Sequence, residues 1–190
     1  MKRLLLPLLL LLAACAGEPT YYGTTWPSPQ PAADFTLQSA AGPVSLSDFD
    51  DKVVLLYFGY TFCPDVCPGT LADLAQVVRE LDDDAENLQV IMITVDPERD
   101  TPEQLADYMQ HFHPSFVGLS GTTAEIGTVA ADYGVFFERH AGTAATGYLV
   151  DHTARVFVID RQGEYWLSFP FGMARDEMAA DLRNVLKQDG

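Results

Sequence analysis

The stretch KVVLLYFGYTFCPDVCPGTL, Lys52 to Leu71, decides how the rest of the chain is read. Its first half is an uninterrupted apolar run rich in Val and aromatic residues, the pattern of a strand buried on both faces. Its second half carries two cysteines four positions apart, Cys63 and Cys67, after which Leu71, Leu74, Val78 and Leu81 recur at helical spacing. A buried strand therefore runs straight into a helix, with the cysteines at the junction. The i, i+4 spacing brings both sulfurs to the same side of one helical turn. The start of a helix also favours thiolates, through its free N–H groups and positive dipole end.

Working outward, DDDAEN (82–87) closes that helix and LQVIMITVD (88–96) supplies a second buried strand, completing a β-α-β unit. TPEQLADYMQHF (101–112) opens with Thr101 as N-cap, Pro102 at the first helical position and Gln104 at the capping-box position. TTAEIGTVAADYG (122–134) repeats the logic with Thr122 and Glu125, and Gly134 as its stop. ARVFVID (154–160) and EYWLSFP (164–170) are strands flanking a turn at Gly163, and MARDEMAADLRNVLKQ (173–188) is a closing helix. Ahead of the first buried strand, DFTLQSAAGPVSLSDF (34–49) alternates around Gly42 and Pro43 as a small hairpin does. This order predicts an α/β domain: a central mixed sheet flanked by helices, with an N-terminal β-hairpin extension, resembling the thioredoxin fold. The cysteines then sit at the carboxyl end of a central strand, where α/β folds place their ligands.

The N-terminus sets the expected compartment. MKRLLLPLLLLLAAC combines a basic start, an apolar run from Leu4 to Leu12 and small residues, which is a signal peptide over residues 1–14. LAAC resembles the bacterial lipoprotein cleavage box, so Cys15 is the expected lipidated residue. AGEPTYYGTTWPSPQPAA (16–33) is rich in Pro, Gly and Thr without an apolar period and reads as the rest of a flexible tether over 15–33. The folded domain is expected over 34–190. The formal charge of −16 excludes a nucleic-acid partner, whose phosphates need Lys and Arg. It fits a solvated acidic surface on an exported, membrane-anchored protein.

Three chemistries suit the cysteine pair. A structural disulfide across four residues closes too small a loop to remove much entropy from the unfolded chain. A redox-active dithiol is at home at this place in an exported α/β domain, although such proteins use two intervening residues and PDV provides three. A metal site needs a further ligand, and the histidines are His111, His113, His140 and His152. His111 and His113 end an amphipathic helix, where imidazole meets the last carbonyls. His140 lies in a loop rich in Gly, Ala and Thr. His152, in YLVDHTARVFVID, stands just before a buried strand, where thioredoxin-like chains commonly have a cis-proline facing the dithiol. Two thiolates and an imidazole form a soft, three-coordinate set suited to Cu(I) and, with an added ligand, to Cu(II). A closed structural zinc site would want a fourth ligand.

The segments VSLSDF (44–49), KVVLLYFGYTFCPDVCPGTL (52–71), ITVDPERDTPEQLADY (93–108), FVGLSG (116–121) and YLVDHTARVFVID (148–160) together resemble the Sco/SenC family. The resemblance implies a membrane-anchored copper protein of cytochrome c oxidase assembly, with Cys63, Cys67 and His152 as copper ligands. It implies a metallochaperone delivering copper to the dinuclear centre of oxidase subunit II at the periplasmic side of the cytoplasmic membrane. A thiol-disulfide reductase keeping that centre's cysteines reduced through Cys63 and Cys67, or a copper or redox sensor, are the alternatives. Another periplasmic copper carrier or a thioredoxin-like reductase is a further expected partner. Asp65, Asp96 and Asp100 lie in the matching motifs, the last two with turn and helix-start chemistry as their expected work. FFERHAGTAATGY (136–148) has no clear counterpart.

Overall fold

The computed structural model describes residues 19–143 and 147–188. The segment expected to be a signal peptide and the expected lipidation site Cys15 lie outside the described residues. Ten strands and four α-helices follow in the order β1 (Thr24–Pro31), β2 (Thr36–Ser39), β3 (Gly42–Ser45), β4 (Val53–Gly59), α1 (Val66–Glu80), β5 (Leu88–Thr94), α2 (Pro102–Gln110), β6 (Val117–Leu119), α3 (Thr123–Asp132), β7 (Phe137–Ala141), β8 (Tyr148–His152), β9 (Arg155–Ile159), β10 (Glu164–Pro170) and α4 (Arg175–Gln188). A mixed sheet of six strands, ordered β1-β10-β9-β4-β5-β6, forms the centre, and β2–β3 and β7–β8 are separate hairpins. β4 runs parallel to β5 and antiparallel to β9, so it is central, and every one of its residues is buried, as is every residue of β5. This is why both segments are apolar without alternation.

The helices follow their caps. Thr101 and Thr122 each accept from the backbone N–H three residues on, while Gln104 and Glu125 return the bond to the cap backbone. Gly163 makes the β9–β10 turn at φ 71°, a left-handed conformation that costs other residues more. α1 packs on α4, and α2 on β6 and β2. Phe58, Ile91, Ile93 and Leu74 are fully enclosed in one core that the sheet shares with its helices.

Two segments depart from the sequence reading. The stretch read as tether contains β1, which pairs antiparallel with β10: Thr24 opposite Ser168, Thr25 opposite Leu167, Gln30 opposite Tyr165 and Pro31 opposite Glu164. Ordered structure thus begins ahead of Asp34. Pro27, Pro29 and Pro31 have no N–H to give to a ladder, which restricts such a strand to an edge, and the register shifts between Thr25 and Gln30. The start of β1 is also clasped from the far end of the chain. The buried carboxylate of Asp181 in α4 accepts from the backbone N–H of Tyr22 at 3.0 Å and of Gly23 at 2.8 Å. The second departure is the segment around His140, which forms the β7–β8 hairpin, with Phe137 directly opposite His152.

Candidate metal centre

β4 ends at Gly59, and the chain turns through 60–65 before α1 begins at Val66. Asp65 occupies the N-cap position, but its exposed side chain makes no capping bond. The Cys63 sulfur stands in: it accepts the backbone N–H of Cys67 at 3.4 Å. A thiolate there is stabilised as any anion is at a helix N-terminus. Cys67, one residue into the helix, is fully buried, while Cys63 is half-exposed.

The third group arrives from β8. His152 Nε2 lies 3.4 Å from Cys67 Sγ, and its Nδ1 lies 3.3 Å from the carbonyl oxygen of Thr153. A carbonyl only accepts, so Nδ1 is the donor in that contact and Nε2 is the nitrogen presented to the sulfurs. The ring is held between Tyr57 and Tyr60, each meeting it edge to face with centroids 6.0 Å away. Tyr60 also accepts the N–H of Val150 at its hydroxyl, 3.2 Å away, which fixes β8 against the cysteine loop. The two sulfurs and the imidazole nitrogen all lie within 4.8 Å of one another, the only such group of metal-binding side chains among the described residues. An open cavity of about 220 Å³, lined by Cys63, Pro64, Leu149 and His152 among others, gives access to it.

The electrostatics of the two cysteines are opposite. The hydrogen bond from Cys67 pulls the Cys63 pKa down to about 3 against the effect of burial, with the contact to His152 adding to the lowering. The same pairing with Cys63, reinforced by burial, pushes the Cys67 thiol up. The pair shares a proton: Cys63 is the accessible thiolate and Cys67 the buried thiol. Two soft sulfurs and an imidazole, converging with one side open, fit a thiophilic metal ion such as copper.

Two buried carboxylates brace the site, and both do more than the turn and helix-start work expected of them. Asp100 accepts from Thr61, at the start of the cysteine loop, and from the hydroxyl of Thr94 at 2.7 Å. Asp96 accepts from the Tyr148 hydroxyl at 2.6 Å, from Arg139 at 3.2 Å and from the Arg99 guanidinium. Tyr148 opens β8, and Arg99 lies over its ring, 3.7 Å from the centroid, and over that of Phe62, 4.6 Å away. Arg99 thus touches both the residue before Cys63 and the strand that ends in His152. The placement of Asp96 and Asp100 in DPERD marked a turn, while Thr61, Arg139 and Tyr148 come from segments 39 to 52 residues away and left no local sequence signal.

The other histidines stay apart from the sulfurs. His111 is the C-cap residue of α2 and bonds the Asp107 carbonyl of its own helix, the capping role expected. His113 bonds the Ser115 hydroxyl at 2.8 Å, and His140 lies on exposed β7 with Nδ1 3.4 Å from the Asp151 carboxylate.

Comparison with known proteins agrees with this architecture. The family described as SCO1/SenC matches residues 25–187. A SCO2-like protein of Rickettsia conorii is 37% identical over 153 residues, covering 80% of this chain and 75% of that one. Among solved structures, apo Sco1 of Thermus thermophilus superposes with a TM-score of 0.78 at 46% identity, covering 86% of this chain and 96% of that one. ScoI of Bradyrhizobium japonicum with copper bound gives a TM-score of 0.74 at 38% identity, covering 82% of this chain and 99% of that one. With nearly the whole folded chain matched, from within β1 to the end of α4, and the cysteine pair and histidine meeting at the end of β4, this protein belongs to the SCO1/SenC family.

Proposed function

We propose that this chain is a copper metallochaperone that delivers copper to the dinuclear copper centre of cytochrome c oxidase subunit II. The observation that carries this reading is the convergence of Cys63, Cys67 and His152 within 4.8 Å on an open groove. The copper-bound state of the Bradyrhizobium relative supports it. Cys63, already a thiolate, offers the first attachment, and Cys67 joins on losing its proton to water. His152, its ring oriented by the Thr153 carbonyl, closes the set. Because the groove leaves one side uncovered, a partner's thiolate or imidazole enters there and replaces these ligands one at a time. No covalent step is needed, and the transferred copper is cargo.

A second reading, a thiol-disulfide reductase acting on the cysteines of the same centre, draws on the contrast between Cys63 and Cys67. An accessible low-pKa thiolate beside a buried thiol is the division of labour between an attacking and a resolving cysteine. Such a role turns over with an external reductant of the thioredoxin class. His152→Ala separates the two. A carrier loses copper affinity by more than the roughly 10- to 100-fold that removal of an outer-shell partner costs, and with it transfer. A reductase keeps most of its disulfide exchange. The decisive assay is anaerobic Cu(I) titration of the reduced protein followed by mixing with an apo fragment of subunit II. Copper in the fragment supports the chaperone, whereas a reduced fragment without copper supports the reductase.

We place the domain at the periplasmic side of the cytoplasmic membrane, held by lipid on Cys15. No helix among the described residues is long and apolar enough to cross a membrane. A Cys15→Ser variant that still fractionates with membranes after processing refutes the anchor.

A further inference from the structure

Tyr57 lies within β4 and is completely buried, yet its hydroxyl has no hydrogen-bond partner among the described residues. An unpaired buried hydroxyl is costly, and phenylalanine would fill the same space without that cost. The surroundings of the ring give the residue a use. A carbon atom added at the Gly59 Cα would lie 2.7 Å from Tyr57 Cε1, 3.2 Å from Cys67 Sγ and 3.3 Å from Met92 Sδ, so the phenol ring edge and the Cys67 sulfur crowd the same spot. The ring also meets His152 edge to face. The Cys67 sulfur and the Thr70 hydroxyl both act electrostatically on this phenol, and Thr70 spends its own proton on the Val66 carbonyl at 2.9 Å.

A phenol keeps its proton at neutral pH and is therefore a donor. Toward a thiol it has little to donate to, because neutral sulfur is a weak acceptor. Toward a metal-bound thiolate the bond becomes charge-assisted and stronger. The donor is thus idle in the metal-free protein and finds its acceptor when Cys67 becomes a ligand.

We propose that Tyr57 is a positioning residue of the metal centre: its hydroxyl donates a hydrogen bond to the metal-bound Cys67 sulfur, fixing the sulfur's direction and withdrawing electron density from it. The inference rests on the copper reading above. It predicts that outer-shell control of this site reaches it from inside the sheet, through a residue that touches no solvent.

The test is Tyr57→Phe in the full reduced chain, loaded with copper(II) chloride. Without the donor, the sulfur gives electron density more readily, so the thiolate-to-copper absorption moves to lower energy. The copper(II) dissociation constant rises about 3- to 10-fold, the weight of one such bond. The metal-free thermal midpoint stays equal or rises, since the variant loses only an unpaired polar atom. Thr70→Val, which removes the alternative acceptor and leaves the donor in place, keeps the wild-type band. An unshifted band with unchanged affinity in Tyr57→Phe overturns the proposal. So does a fall in metal-free stability without a band shift, which makes Tyr57 a packing residue. If the wild-type chain shows no thiolate-to-copper band and takes up no Cu(I) in the anaerobic titration, the copper reading itself fails; a wild-type band unmoved by Tyr57→Phe sinks only the role of Tyr57.

Discussion

Asp100 holds Thr61 by both of its donors: one carboxylate oxygen accepts the backbone N–H at 3.0 Å and the other the side-chain hydroxyl at 2.5 Å. The loop carrying Cys63 is thereby tied at its start to the segment after β5. Asp100→Asn keeps the shape but has one acceptor oxygen, so a Thr61 donor loses its partner. Stability falls by about 1–3 kcal/mol, read from urea melts.

The same residue carries a pH signature. Burial raises the Asp100 pKa above its ordinary value, with the bonds from Thr61 and Thr94 opposing. The folded protein therefore holds this proton to higher pH than the unfolded chain does. The contribution of Asp100 to stability is largest below the unfolded value and declines as pH rises to the folded one. The stability difference between wild type and Asp100→Asn should shrink from pH 4 upward and then level off. A difference that grows with pH over that span contradicts the assignment.

Cys63 should react with iodoacetamide at a rate nearly independent of pH between 5 and 8, because with a pKa of about 3 it is already thiolate throughout. An ordinary thiol would speed up about tenfold per pH unit below its pKa of about 8.5. Cys67, buried and with a raised pKa, should be modified only on unfolding. Peptide mapping of the reduced, metal-free protein after brief exposure reads both at once.

Gly59→Ala places a methyl group against Tyr57 Cε1 at 2.7 Å, and nearer to the Cys67 and Met92 sulfurs than most contacts allow. Overpacking of this kind costs about 1–3 kcal/mol. Because one of the crowded atoms is a candidate ligand, metal affinity should fall along with the melting temperature. A variant that loses neither would show that the end of β4 can yield without disturbing the site.

Asp96→Ala leaves Arg99 without its carboxylate in a mostly covered place and removes the anchor of Tyr148. The expected loss is about 3 kcal/mol, the low end for breaking a buried ion pair, since Arg99 keeps some contact with water. Hydrogen exchange should accelerate first in the β7–β8 hairpin, ahead of the central sheet. Uniform acceleration would mean that Asp96 supports the whole fold rather than the hairpin that delivers His152.

Which of these features the sequence disclosed follows from the range of the forces involved. β4, β5 and the caps at Thr101 and Thr122 were legible because burial on both faces and capping leave marks within a few residues. The cysteine pair was legible because one helical turn fixes its spacing. His152 was legible from its place before β9 and from the family resemblance. β1 was not: three prolines and a shifted register hide a strand whose partner is more than 130 residues away. Nor was the work of Asp96, Asp100 and Asp181, whose partners arrive from distant segments. Short-range patterns show where an acid sits, while its burial is decided by the whole chain.

The clasp between Asp181 and the Tyr22–Gly23 backbone has a mechanical consequence. β10 runs parallel to β4, because each is antiparallel to β9, and β1 runs against β10, so the N-terminal chain enters the sheet at the same end as the metal ligands. Three strand spacings, roughly 14 Å, separate β1 from β4. Between Cys15 and Tyr22 a fully stretched chain reaches at most about 25 Å. A lipid on Cys15 would thus act as a short leash attached at the working end of the molecule, holding the groove close over the bilayer and turned toward it. Such a protein would have a narrow working height, serving clients whose receiving site stands low above the same membrane and missing those raised well clear of it.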